Sequence, residues 1–146
     1  MQIISPVFRE GAGIPPQYSC KGQNVSPPLC FMDVPKKAKS LALIVYDPDA
    51  PGGDYVHWTM WDIPAGTEAI AANSVPVGAV QGVNSNSKNS YMGPCPPSGT
   101  HRYMFELYAL DASLGLPSET KRDQLKKAME GHILEQHTLS GNFSAA

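Results

Sequence analysis

The sequence predicts a mainly β protein, an antiparallel β-sandwich with a helix added near its C-terminus. Apolar segments with strand character precede the segment that has helical spacing, and this order favours a sandwich over alternating βαβ units. The 14 prolines and 13 glycines are spread along all 146 residues, as in a fold of short strands joined by turns. This length, without repeats or a break in composition, predicts a single domain spanning 1–146.

Three segments carry the strongest strand signals. Ser40–Asp47 is apolar at successive positions, which is typical of a strand covered on both faces. The segments 56–63 and 101–110 are rich in aromatic and apolar residues, which favour extended structure. Weaker strands are expected at 1–5, 30–34 and 77–83.

A helix is expected between residues 118 and 136. Side chains that can form a buried stripe recur there at three- and four-residue spacing: Leu125, Ala128, Met129, His132 and Ile133. Thr120 followed by Asp123 is an acceptable capping pair at its start. His132 and His137 lie on or after this helix and are expected to be solvated or packed.

Composition and charge limit the partners and the compartment. The net charge is −2, and the largest basic clusters are pairs of lysines, which argues against a nucleic-acid partner. The longest apolar stretch, 41–46, is far shorter than the roughly 20 residues that cross a bilayer, so no transmembrane segment is predicted. Because no basic and apolar leader opens the sequence, the protein is expected to be cytoplasmic.

The three cysteines leave several readings open. An odd number in a chain without a leader argues against a disulfide framework, although Cys20 and Cys30 flank a turn-rich segment and could pair. Cys95 could act as a nucleophile with a histidine as its base, but no oxyanion loop or orienting residue is identifiable. The alternative is that Cys95 is a small apolar thiol between two prolines. No cysteine spacing indicates zinc.

Two carboxylates follow the most hydrophobic strand. A proline pushes the residue before it towards extended geometry, and in extended Asp47-Pro48-Asp49 the two carboxylates would lie on one side. The alternative is that both residues only form a turn, as aspartate commonly does. Two aspartates and two histidines could also bind a divalent metal, but the four residues are scattered along the chain, and no metal is predicted.

His57 lies early in the next strand. The short, glycine-containing connection before it predicts a hairpin that brings His57 close to Asp47 and Asp49. Strict alternation places Tyr55 and Thr59 on the face of His57, with Val56 and Trp58 on the other face. Beside two carboxylates, the pKa of His57 is expected to rise, which would make the ring cationic near neutral pH.

The stretch 91–103 has an unusual density of proline and glycine. Its core, Gly93-Pro94-Cys95-Pro96-Pro97, predicts a rigid loop that either preorganises a binding site or merely stiffens a crossover. Alternation on the following strand places His101 and Tyr103 on one face. Arg102 points to the other face, where a structural ion pair is expected.

Taken together, these segments resemble the phosphatidylethanolamine-binding protein family, also called the Raf-kinase-inhibitor-like family, in its short bacterial and archaeal form. The resemblance runs almost from end to end. It rests on the order and combination of four motifs: Ser26-Pro27-Pro28-Leu29, Asp47-Pro48-Asp49-Ala50-Pro51, His57-Trp58, and Gly93-Pro94-Cys95-Pro96-Pro97 followed by His101-Arg102-Tyr103.

The resemblance implies a family-type antiparallel β-sandwich with one or two short helices and an anion pocket. It also implies binding of phosphate-bearing head groups such as phosphorylethanolamine, inhibition of kinases or serine proteases by some members, and frequent homodimers among short members. No cofactor is implied. The expected ligand-binding residues, with Tyr55 included from the face of His57, are Asp47, Asp49, Tyr55, His57, Gly93, Pro94, Cys95, Pro96, Pro97, His101 and Tyr103.

The leading hypothesis is reversible binding of a small phosphoryl-bearing anion without turnover. Protonated His57 and His101, the Tyr103 hydroxyl and loop amides would be the donors, while the two aspartates would raise the histidine pKa values and orient the rings. One alternative is an inhibitor or scaffold that acts through its surface independently of the pocket. Another is a hydrolase that uses Cys95 or an Asp–His pair.

Overall fold

The computed structural model describes residues 1–145 of the chain. Within this range there are eight β-strands, one α-helix and a short 3-10 turn at Pro16–Tyr18. The strands are β1 (Gln2–Ile4), β2 (Leu29–Met32), β3 (Ser40–Asp47), β4 (Tyr55–Pro64), β5 (Ala69–Ile70), β6 (Val80–Gln81), β7 (Thr100–Leu110) and β8 (Ile133–Ser144). The helix is α1 (Arg122–Met129).

The strands form two antiparallel sheets. The larger sheet has five strands in the order β6-β4-β3-β7-β8, and the smaller has three in the order β1-β2-β5. Side chains from both sheets share one buried cluster, to which the small sheet contributes Ile3, Leu29, Phe31 and Ile70. The predicted mainly β, antiparallel sandwich is therefore confirmed.

The central strand of the large sheet, β3, is covered on both faces, as its sequence predicts. Leu41, Leu43 and Val45 point into the core between the sheets. Ala42 and Ile44 point the other way into a second cluster, where α1 contributes Leu125 and Met129. The apolar run thus reflects burial against a sheet on one side and a helix on the other.

The strand predictions hold best where the strands are long. The bounds of β3 match the prediction, β4 extends one residue beyond it at each end, and β7 begins one residue earlier than predicted. The weaker segments form the shorter strands β1, β2 and β6. Two short elements, β5 and the 3-10 turn, were not predicted.

The predicted helix 118–136 is wrong in its second half. The helix ends at Met129, and Gly131, at a φ of +79°, turns the chain into β8. β8 then pairs along the whole of β7, from Leu110 opposite Ile133 to Thr100 opposite Ser144. A long partner strand therefore overrides a helical pattern that local spacing favours, and Ile133 is exposed rather than part of a buried stripe.

Candidate functional site

A cavity of about 290 Å³ lies where β3 ends and where β4 and β7 begin. Because antiparallel neighbours place the end of one strand beside the start of the next, these three strands bring their polar residues to one edge of the large sheet. The lining residues are Asp47, Ala50, Pro51, Tyr55, His57, Met92, Cys95, Pro96, Pro97, His101 and Tyr103. Eight of the eleven residues predicted from the sequence are in this set.

Asp47 is the buried carboxylate of the site and is already engaged by the protein. It is the last residue of β3, and only 4% of its surface is exposed. The His101 Nδ1–H donates to its Oδ2 over 2.6 Å, and the Asp49 backbone N–H donates to its Oδ1 over 2.8 Å. Asp47 therefore orients the His101 ring and holds the turn after β3.

His57 reaches the cavity because of a β-bulge. Val45 pairs with Trp58 and Tyr46 with Val56, so His57 is the extra residue between the two pairs. A bulge re-aims a side chain, and here both His57 and Trp58 lie towards the core side of the sheet. The predicted placement of His57 and Trp58 on opposite faces is therefore wrong, since strict alternation fails at the bulge.

The His57 ring is held by Met92, the residue directly before the proline-rich loop. Its Nδ1 lies 2.6 Å from the carbonyl oxygen of Met92, and the Met92 N–H donates to the His57 carbonyl over 3.0 Å. The ring is also edge-on to Tyr103 and Tyr55, with centroid separations of 5.3 and 5.1 Å. These contacts fix the ring plane and leave Nε2 as the nitrogen without a protein partner in the described chain.

The pKa of His57 is lowered, contrary to the expectation from the sequence. Burial disfavours the imidazolium and is the largest influence, whereas the Met92 carbonyl and the charge of Asp47 act in the opposite direction. A nearby carboxylate does not compensate for the loss of water around the ring. His57 is therefore neutral near neutral pH rather than cationic.

Tyr103 presents a hydroxyl that makes no well-formed hydrogen bond within residues 1–145. The residue is 1% exposed, and among residues 1–145 nothing meets hydrogen-bond geometry with its hydroxyl oxygen. Burial raises the pKa of Tyr103, and the negative charge of Asp47 raises it further, so the hydroxyl keeps its proton. The cavity thus contains a buried donor.

Asp49 lies outside the cavity lining, although the sequence predicts it as a ligand-binding residue. The chain turns directly after Asp47, so the extended geometry that would align the two carboxylates does not extend to Asp49. Its carboxylate instead accepts the Arg102 backbone N–H at 2.8 Å and the guanidinium Nε and Nη2 at 3.0 and 2.9 Å. These bonds lower the pKa of Asp49 to about 2. The expected ion pair of Arg102 is therefore confirmed, with Asp49 as its partner.

The proline-rich loop is joined to the N-terminal part of the chain by a disulfide. Cys95 pairs with Cys20, 75 residues earlier in the sequence, whereas Cys30 lies in β2 with a free thiol. The expectation that the cysteines form no disulfide is therefore wrong, and so is the alternative pairing of Cys20 with Cys30, because Cys20 is bonded to Cys95. With Cys95 oxidised, the proposed thiolate nucleophile is not available.

Gly93 and Pro94 anchor the loop and do not line the cavity. The Gly93 N–H donates to Asn24 Oδ1 over 2.8 Å, and the Cys20 N–H donates to the Pro94 carbonyl over 3.1 Å. A Cβ on Gly93 would lie 2.2 Å from the Tyr18 carbonyl oxygen, so only glycine fits this approach. The first half of the loop is therefore an anchor, and the second half, Cys95 to Pro97, is the wall.

Three lining residues, Ala50, Pro51 and Met92, are not among the ligand-binding residues predicted from the sequence. Met92 acts on His57 through its backbone carbonyl, which any residue could supply. Ala50 and Pro51 belong to a recognised motif, but only the turn after β3 brings them to the cavity rim. Tertiary placement, rather than residue type, makes these three residues part of the site.

Residues 1–145 add neither a lysine or arginine side chain to the cavity lining nor a cluster of metal-ligating side chains. Within that range no lysine or arginine lines the cavity. No cluster of three or more His, Cys, Asp or Glu side chains in that range is arranged to hold a metal ion. Over the same residues, no helix has the length and apolar character needed to cross a membrane.

The fold and the site define a β-sandwich protein with a small, partly polar cavity at one end of its core. A sequence profile of the phosphatidylethanolamine-binding protein family matches residues 4–144, and the chain belongs to this family. A Chlamydia pneumoniae protein of the UPF0098 group is 47% identical, with 98% of both chains covered.

Two solved structures share the fold closely. One, from Chlamydia trachomatis and described as a phosphatidylethanolamine-binding protein homologue, has a TM-score of 0.95 at 41% identity and covers 98% of this chain and 96% of that one. E. coli YbcL, described as a new member of the mammalian family, has a TM-score of 0.91 at 29% identity, with 98% and 97% of the two chains covered.

The disulfide should contribute measurably to stability. The double variant Cys20→Ser/Cys95→Ser is expected to lose about 2–4 kcal/mol of unfolding free energy, because the cross-link restricts the unfolded chain. Urea unfolding under non-reducing conditions measures this loss. Cys30→Ser is the matched control and should change stability little. An equal, small effect in both proteins would contradict the pairing.

Gly93→Ala should displace the loop anchor. Its new Cβ meets backbone that cannot rotate away, so a loss of about 1–3 kcal/mol is expected from overpacking. Gly52→Ala, where a Cβ meets nothing within 4 Å, is the control and should be close to neutral. Thermal melts compare the two variants. Equal melting temperatures would show that the Gly93 position has room for a Cβ atom.

Asp49→Asn should change the acid stability of the protein. Since the folded pKa of Asp49 is about 2, below its unfolded value, its stabilising contribution is complete above about pH 4 and is lost as the pH falls through about 2. The wild type should therefore lose more unfolding free energy over this interval than the variant. Urea unfolding at several pH values tests this, and parallel curves would contradict it.

Proposed function

We propose that this protein binds a small phosphoryl-bearing anion reversibly in the cavity. The Tyr103 hydroxyl carries the proposal, because it is buried and protonated, and among residues 1–145 no group, the nearby Asp47 included, lies in hydrogen-bond geometry with it. Leaving a buried donor unsatisfied costs about 1–3 kcal/mol, and folded proteins retain such groups mainly where something else satisfies them. A phosphoryl oxygen is an acceptor of the required kind.

The surroundings of Tyr103 suit a small ligand held with little rearrangement. The Nδ1 atoms of His57 and His101 are tied to the Met92 carbonyl and to Asp47, so both rings are already oriented. The disulfide and the Gly93 anchor hold the opposite wall in place. Such preorganisation lowers the entropy that a ligand must overcome on binding.

The buried carboxylate in a proposed anion site has a structural explanation. Both Asp47 oxygens accept hydrogen bonds from within the protein, one from the His101 ring and one from the Asp49 backbone. Asp47 therefore acts by orienting His101. It does not make His57 cationic, because burial of that ring outweighs the carboxylate charge. The proposal accordingly does not rely on a protonated His57.

Tyr103→Phe is the most direct test of the proposal. Loss of the hydroxyl should weaken binding of O-phosphoethanolamine by about 10–100-fold, the usual value of a hydrogen bond to a charged group. Because the hydroxyl has no hydrogen-bond partner among residues 1–145, the unfolding free energy should stay the same or rise. Calorimetric titration and urea unfolding measure the two quantities.

Tyr108→Phe is the matched control for this experiment. Tyr108 is also a buried tyrosine of β7, but its hydroxyl donates to Glu106 over 2.6 Å on the other face of the sheet. This variant should lose about 1 kcal/mol of stability and keep full affinity. Unchanged affinity in Tyr103→Phe would refute the proposal, and release of inorganic phosphate by the wild type would replace it with a hydrolase that uses the Asp–His pair.

A further inference from the structure

The hydrogen-bonding state of His57 is fixed by its loop partner. A carbonyl oxygen can only accept, so the contact between the Met92 carbonyl and Nδ1 requires the proton on Nδ1. In the neutral ring, Nε2 then carries a lone pair and no hydrogen. His57 lines the cavity, and its Nε2 has no partner in the part of the chain that the structure describes. The cavity therefore contains an acceptor as well as the Tyr103 donor.

The groups that face His57 keep the ring in this state. Tyr55, from its own strand, and Tyr103, from β7, lie edge-on to it and remove water from the ring. Asp47 of β3 is the nearby carboxylate, but it is hydrogen-bonded to His101, the other titratable group on β7 that faces the cavity. The loop contributes the Met92 carbonyl in direct contact and, more weakly, the Gly93 backbone, and both favour the protonated ring. Desolvation accordingly outweighs the Met92 carbonyl and the charge of Asp47, and the pKa of His57 is lowered.

A doubly ionised phosphoryl group does not match this arrangement. Its three terminal oxygens are all acceptors, so one of them would face the lone pair of Nε2. Its two negative charges would also lie close to the buried Asp47, with no lysine or arginine among the cavity-lining residues of the described range to offset them. A singly protonated phosphoryl group has one fewer charge and carries a P–OH donor.

We infer that the cavity selects the monoanionic, singly protonated form of a phosphate monoester, whose P–OH donates to Nε2 of His57 while an unprotonated oxygen accepts from Tyr103. This inference rests on the function proposed above and identifies the ligand form that the same site takes. The proton stays on the ligand, and no bond is made or broken. Sulfate esters, which carry the same charge but no such proton near neutral pH, are poor ligands.

Two ligands of equal size and charge test the selection directly. At about pH 5, O-phosphoethanolamine carries a singly protonated phosphate, since the second pKa of a phosphate monoester is about 6. Its sulfate ester counterpart, 2-aminoethyl hydrogen sulfate, then has the same charge but lacks the acidic hydroxyl. Calorimetric titration of the wild-type protein should show the phosphate binding at least about tenfold more tightly. Towards about pH 8, where the phosphate becomes a dianion, its affinity should fall by about tenfold for each pH unit above its second pKa.

The outcomes separate this inference from the proposed function. Equal affinities for the two esters at about pH 5, or tighter phosphate binding at about pH 8 than at about pH 5, would overturn the selection and leave anion binding intact. Failure of both ligands to bind at either pH would overturn the proposed function together with the inference. A phosphate preference that decreases with pH would support both.

The position of the proton can be read without relying on affinity. Two-bond ¹H–¹⁵N spectra of the histidines distinguish a neutral ring protonated at Nδ1 from an imidazolium. In the complex with O-phosphoethanolamine, His57 should keep an unprotonated Nε2, and an imidazolium signal would overturn the inference. The side chain of His57→Gln supplies an amide N–H that can donate to either anion. The ratio of the affinities for the phosphate and sulfate esters should therefore fall towards one. His132→Gln, at an exposed histidine paired with Asp111, should keep the preference.

Discussion

The pairing of β3 between β4 and β7 is the constraint on which the rest of the molecule depends. β3 is bonded to both neighbours along most of its length, and its two faces are buried against the small sheet and against α1. Because the three strands are antiparallel, the last residue of β3 must lie beside the first residues of the other two. Asp47, His57 and His101 therefore meet at one edge of the core, although they are distant along the chain.

Water exclusion decides how the residues at that edge behave. Three charged or polar groups close together suggest strong mutual tuning by charge, yet burial has the larger effect on both His57 and Tyr103. It keeps the imidazole neutral and the phenol protonated, so His57 offers an acceptor and Tyr103 offers a donor in fixed positions. Both carboxylate oxygens of Asp47 accept hydrogen bonds from within the protein. The lining residues of the described chain therefore supply hydrogen-bonding groups rather than a cluster of lysine or arginine charge.

The walls of the cavity depend on contacts between distant parts of the chain. The Cys20–Cys95 disulfide, the Gly93–Asn24 hydrogen bond and the Tyr91 hydroxyl, which donates to the Tyr18 carbonyl, hold the proline-rich loop against the N-terminal segment. On the other side, the Asp49–Arg102 pair holds the turn after β3 against β7. The candidate site residues thus divide into those that line the cavity and those that hold its walls in place.

Period and composition were enough to predict the sandwich, the bounds of β3 and the set of strand-end residues that contains the site, because these signals are local and repeat along the chain. The family resemblance came from motif order, which is likewise readable from the sequence. Tertiary contacts decided the rest. Pairing with β7 turned 133–144 into a strand, a bulge moved His57 to the cavity, and a turn took Asp49 to Arg102. The partner of Cys95 lies 75 residues away, and the direction of the His57 pKa shift follows from burial. Both depend on which distant segments exclude water from each other, and no local pattern encodes that.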